Sequence, residues 1–169
     1  MTHHNEEDIL TATHEAGHAV AFFRLGIDLK RVTIQPGKNM SGHTLVTGSP
    51  IDPLQAIKRV IGDLSGHAAL VVAGYGPAIA RDGAGHDFNN AKELITEWAL
   101  PGPLKRWKAV AVTLMRTPQN IAAVELVAEE LLARETLSGK YAEALVEKSD
   151  GLPEHVFKQY VSAYCPEIL

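Results

Sequence analysis

A single cysteine, Cys165, leaves the chain without an internal disulfide or a thiolate metal cluster of its own, which suits a reducing, cytoplasmic setting. Basic residues are not in excess. With a formal charge of −4 and a pI near 6.0, no concentrated positive surface is available for a phosphate backbone, and nucleic acid is not expected as a partner. The two basic groups, Arg24 with Lys30 and Arg31, and Lys105 with Arg106 and Lys108, are short and read as solvated faces. Long apolar runs are missing too. The longest candidate, 68–73, is a core segment, so no membrane span is expected. The acidic start, 1–8, lacks the basic flank and apolar stretch of a secretory signal.

Apolar residues make up 46% and charged residues 21%, and glycine and proline are not in excess, so the chain has the material for a globular core. Its 169 residues suit one domain, 1–169. A first helix is expected over about 6–25, capped by Asn5, with Glu6, Glu7 and Asp8 at its positive end and Gly26 ending it. A β element follows at about 30–47, where Arg31–Ile34 and Thr44–Thr47 are β-branched runs separated by turn residues. The remainder reads as helical. A long, largely buried helix starts at Asp52-Pro53, and 74–85 reads as a loop. Further helices are expected from near Asp87, over 104–116, over 118–134 capped by Thr117, over 138–148 and over 153–164. The fold class is therefore mainly α, with a small β-hairpin or sheet after the first helix.

His14-Glu15-Ala16-Gly17-His18 is an HExxH motif inside a predicted helix. Residues four apart differ by about 40° in direction and about 6 Å in height, so both imidazoles can meet one ion while Glu15 points to a neighbouring flank. Zn2+ suits such a donor set. Three protein ligands leave a fourth position for water, whose proton Glu15 can take before attack on a peptide carbonyl. Gly17, costly in mid-helix, implies a tight contact there. The third ligand has to be distant. His43, His67, Asp82, His86 and Asp87 qualify by side-chain type, and periodicity does not choose among them.

With these residues in view, the sequence resembles the peptidase domain of the FtsH-type, AAA-linked zinc proteases. The likeness runs through His14-Glu15-Ala16-Gly17-His18-Ala19, Val32-Thr33-Ile34 with Pro36-Gly37, Gly42-His43-Thr44, and Gly66-His67-Ala68-Ala69. It continues through Gly83-Ala84-Gly85-His86-Asp87-Phe88-Asn89-Asn90-Ala91 and the segment from Leu131 to Leu137 followed by Gly139, which resembles the family's closing helical segment. The resemblance implies Asp87 as the third zinc ligand beside His14 and His18, with His86 the alternative ligand and a helix N-cap the competing role for Asp87. The chain departs from the family at His67, where arginine is usual, at Leu70, where glutamate is usual, and over 99–107. Few residues precede the first helix, so no ATPase module or anchor is expected ahead of it.

The expected function is a zinc metalloendopeptidase, ATP-independent by itself, that hydrolyses peptides or unfolded segments, with a partner protein supplying any unfolding. A homo-oligomer is compatible with this. The alternative is a zinc-stabilised binding or regulatory module with the same fold and little or no catalysis. His67 is expected in the core or behind the ligands. His43 is expected on an exposed strand or lining a cleft where a peptide adds to the strand edge. His3, His4 and His155 read as surface residues.

Overall fold

A computed structural model describes residues 5–37 and 42–168. His3 and His4 lie outside them. Helix α1, Glu6–Arg24, begins in a reciprocal cap: the Asn5 side chain accepts from the Asp8 backbone N–H at 2.8 Å, and the Asp8 carboxylate accepts from the Asn5 N–H at 3.2 Å. It stops at Leu25, and Gly26 follows with φ +70, the left-handed turn that glycine adopts without strain.

Strands β1, Leu29–Thr33, and β2, His43–Val46, pair antiparallel, with Val32 opposite Thr44 and Thr33 opposite His43. A third strand, β3, Thr136–Ser138, adds to the other side of β1 and gives the order β2-β1-β3. β3 is absent from the sequence reading, which ended one helix at 134 and began the next at 138, with 131–137 placed in a helical segment by the family resemblance alone. Glu135 turns left-handed at φ 61 and breaks the helix. Its carbonyl then accepts from the Ile34 N–H at 2.9 Å and the Thr33 hydroxyl at 3.1 Å. Three residues carry no readable period, and the partner strand lies a hundred residues away in sequence, so only tertiary pairing reveals them.

Helix α2, Pro53–Val72, starts where the Asp52 carboxylate caps the Gln55 N–H at 2.8 Å, and much of its length is buried. The short α3, Pro77–Arg81, stands inside the stretch expected as a loop. Helices α4, Gly85–Glu97, α5, Leu104–Met115, α6, Pro118–Arg134, α7, Gly139–Ser149, and α8, Glu154–Tyr164, complete the mainly helical architecture. Buried side chains of α1, α2, β1, α5, α6, α7 and α8 share one hydrophobic cluster, with Leu64 and Leu131 among its fully buried members. No helix of the described residues is long and apolar enough to cross a membrane.

The crossing of α1 on α2 positions the site. A Cβ on Gly17 would lie 2.5 Å from the Ala69 Cβ and 2.6 Å from the Ser65 carbonyl oxygen. The two backbones meet there with no room for a side chain, which is the close contact implied by a glycine in mid-helix.

Candidate metal centre

His14 and His18 leave α1 one turn apart, with ring planes crossing at 79° and Nε2 atoms 3.0 Å from each other. Asp87 reaches them from α4: its Oδ2 lies 3.0 Å from His14 Nε2 and 3.2 Å from His18 Nε2. Among the described residues these three form a group of metal-ligating type whose donor atoms all lie within 4.8 Å of one another. Asp87 is not a helix cap. Ala84 holds the cap position of α4 without a side-chain bond, and Asp87 stands inside the first turn with its carboxylate turned to the two rings.

The chemistry of the donors fits a divalent cation. His18 Nδ1 lies 2.8 Å from the Gly62 carbonyl oxygen, which can only accept, so the hydrogen of a neutral ring sits on Nδ1 and Nε2 presents a lone pair. That lone pair faces a second imidazole nitrogen and a carboxylate oxygen; a single hydrogen on His14 Nε2 can satisfy only part of this arrangement, whereas a cation held between the three atoms satisfies all of it. Separations of 3.0–3.2 Å are close to the roughly 3.3 Å between neighbouring donors around a tetrahedral ion with bonds of about 2 Å. Protons meet the same demand when no metal does. Burial disfavours the charged His18 ring, yet the Asp87 carboxylate beside it overcomes this and raises the ring to about 10. Burial likewise works against the Asp87 anion, and the facing His18 and His14 rings more than offset it, holding the carboxyl well below the usual range.

Glu15, only 5% exposed, stands outside this group. Its Oε2 accepts from the Thr44 hydroxyl of β2 at 2.8 Å. The β2 end passes so close that a Cβ on Gly42 would lie 3.1 Å from Glu15 Cγ and 2.7 Å from the Thr33 carbonyl oxygen. On the α2 side, a Cβ on Gly66 would come within 2.5 Å of His18 Nε2 and 2.7 Å of His14 Nε2. Sequence reasoning missed Thr44, Gly62 and Gly66 as parts of the site. The small residues at 62, 65, 66 and 69 were a signal of a close helix crossing, but nothing local said which helix crosses.

The other candidates lie apart from the group. His67 is buried, its Nδ1 donating to the Ala80 carbonyl at 2.8 Å and its ring set edge-on to Phe88 at 5.1 Å. Burial lowers its pKa. It ties α2 to α3 and α4, as expected of a core or supporting histidine. His86 and Asp82 are exposed on the cleft beside the group, and His155 is exposed elsewhere. His43 lines the cleft from β2, with its Nε2 accepting from the Arg31 guanidinium at 3.1 Å. Cys165 is buried against the Ser138 hydroxyl, 3.8 Å away.

The cleft measures about 870 Å³ and runs between β2 and the α3–α4 segment. Asp63 of α2 also lines it, 8% exposed, with Arg59 Nε 3.4 Å away. Burial pushes the Asp63 carboxyl up to about 6 despite that guanidinium.

No family model matches the chain. In an alignment 175 positions long that covers 85% of its length, the chain is 31% identical to the ATP-dependent zinc metalloprotease FtsH 1 of Symbiobacterium thermophilum. It spans about 30% of that protein's length. This likeness, carried across most of the chain, marks an FtsH-related region.

Proposed function

We propose that the chain is a zinc-dependent metallopeptidase in which His14, His18 and Asp87 hold the ion and Glu15 serves as general base. The observation that carries this reading is the meeting of three donor atoms from α1 and α4, with a fourth side chain, the carboxylate of Glu15, buried beside them yet withheld from the group. A purely structural site has no use for such a carboxylate. The relative's name, a zinc metalloprotease, supports the same metal and reaction class.

When bound, the ion lowers the pKa of water and polarises the peptide carbonyl. Glu15 takes a proton from the attacking water and returns it to the leaving nitrogen, while the Thr44 hydroxyl holds its other oxygen in place. His18 is kept in the tautomer that exposes Nε2 by its bond to the Gly62 carbonyl. β2 is an edge strand of the sheet and lines the cleft with His43, Thr44 and Leu45, so an extended peptide can add along the side that pairs with no strand among the described residues. Peptide hydrolysis itself needs no nucleotide. Unstructured chains are therefore the direct substrates, and folded ones need a partner that opens them.

Metal analysis together with cleavage of casein, without nucleotide and with or without chelator, tests this reading. Glu15→Gln should keep zinc and lose cleavage by about a hundredfold or more. A zinc-loaded wild type that cuts no unstructured chain would leave a zinc-stabilised binding module as the better account. Asp87→Asn should weaken zinc retention about tenfold or more, and unchanged occupancy would move the third position to His86.

A further inference from the structure

The cleft carries more negative charge than peptide hydrolysis requires. Six carboxylates line it, those of Glu6, Glu7, Glu15, Asp63, Asp82 and Asp87, and Arg59 is the one lysine or arginine among the described lining residues. Glu15 and Asp87 belong to the proposed chemistry. The other four carboxylates face one guanidinium, a surplus that the reaction leaves unexplained.

Asp63 is the informative member. Glu6, Glu7 and Asp82 are exposed and solvated, whereas Asp63 is about nine-tenths buried at the cleft wall, with Arg59 the one cation paired to its carboxylate among the described residues. Its ionic partner, Arg59 Nε, stands at 3.4 Å, beyond the 2.7–2.9 Å or so of a charge-assisted hydrogen bond. The Arg59 guanidinium also lies over the Phe22 ring, 5.4 Å from its centroid. The carboxylate has thus lost most of its water for one loose contact. A second cation reaching it from the cleft would complete its pairing. Leu45 and Ile79, both exposed on the cleft, offer apolar surface for the stem of a long basic side chain.

We propose that the cleft selects peptide segments bearing lysine or arginine beside the bond to be cut, with Asp63 receiving the basic side chain and Glu6, Glu7 and Asp82 attracting it. This rests on the peptidase reading and adds a substrate class to it. The buried carboxylate acts at contact range and resists screening, whereas the exposed rim acts at longer range and weakens with salt.

The test uses the zinc-loaded full chain and N-acetylated quenched peptides that share one apolar pair flanked by lysines, serines or glutamates. The expected order of kcat/KM is lysine, serine, glutamate, with about a tenfold spread or more between the extremes at low salt that narrows in about 0.5 M salt. Asp63→Asn should shrink the lysine advantage that survives high salt. Binding of the same peptides to zinc-loaded Glu15→Gln protein, followed by fluorescence anisotropy, should show the same order without turnover. Equal rates for the three peptides would overturn this inference and leave the peptidase reading standing. If no peptide is cut, the peptidase reading fails, and the binding order alone decides the preference for basic segments. Should a preference appear only for peptides with a free amino terminus, the cleft reads a terminal ammonium and the side-chain assignment is overturned.

Discussion

At the scale of single residues, two groups next to the candidate ligands have effects that can be separated. Thr44 has one hydroxyl hydrogen, directed at the Glu15 carboxylate at 2.8 Å, with the Glu15 carbonyl oxygen 3.2 Å away as a weaker alternative. Thr44→Val keeps the shape and removes that bond. Turnover should fall about tenfold to a hundredfold with KM nearly unchanged and zinc retained, because a base that loses its orientation still leaves the ligands in place. Unaltered kcat would show that Glu15 is held by packing alone.

Asp63 behaves differently because its carboxyl rises from 3.8 to about 6 on folding. The folded state therefore prefers the neutral form, and stability declines as pH rises from about 4 through 6, by on the order of 2–3 kcal/mol once the group is ionised. Asn mimics the neutral form. Asp63→Asn should accordingly stabilise the protein at pH 7.5 by up to about 2 kcal/mol and change little near pH 4, measured by denaturant unfolding at both pH values. Destabilisation at pH 7.5 would mean instead that its pairing with Arg59 outweighs desolvation.

Between elements, the site depends on how closely α2 approaches α1. Gly17→Ala ought to gain about 1 kcal/mol from helix propensity alone. The added methyl would instead meet the Ser65 carbonyl and the Ala69 methyl, so a net loss of about 2 kcal/mol is expected in denaturant unfolding. Gly66→Ala places its methyl against both imidazoles. It should abolish stoichiometric zinc binding even where circular dichroism shows a folded chain, and full zinc occupancy would contradict the observed approach of the two helices. Gly17 was legible as a close contact from its position in mid-helix, but its partners on α2 were not. Likewise, α3 and β3 escaped a reading of the sequence because five and three residues are too short to show a period.

Across the whole molecule, the hydrophobic cluster draws buried side chains from α1, α2, α4 to α8, β1 and β3. A core of this extent is expected to hold the fold without a metal, unlike that of a small zinc module. Chelation should leave the far-UV circular dichroism spectrum unchanged at 25 °C and lower the Tm by several degrees, with zinc restoring it through binding to the folded state alone. Loss of helical signal on chelation would favour the structural-zinc alternative.

Local chemistry alone determined the helices with readable caps and periods. Asn5, Asp52-Pro53 and Thr117 mark helix starts, and the spacing of His14 and His18 guarantees that two imidazoles share a helix face, because caps and the 3.6-residue turn act over a few neighbours. Five residues qualified as the third member of the group by type, and no local rule separated them. Only the tertiary structure brings the Asp87 carboxylate to the two rings, across 69 and 73 residues of chain, while turning His67 toward Ala80 and leaving His86 in solvent. Such distant pairings depend on how α2 crosses α1 and where α4 then runs. They are settled by the packing of small residues between helices, which no short window of sequence contains.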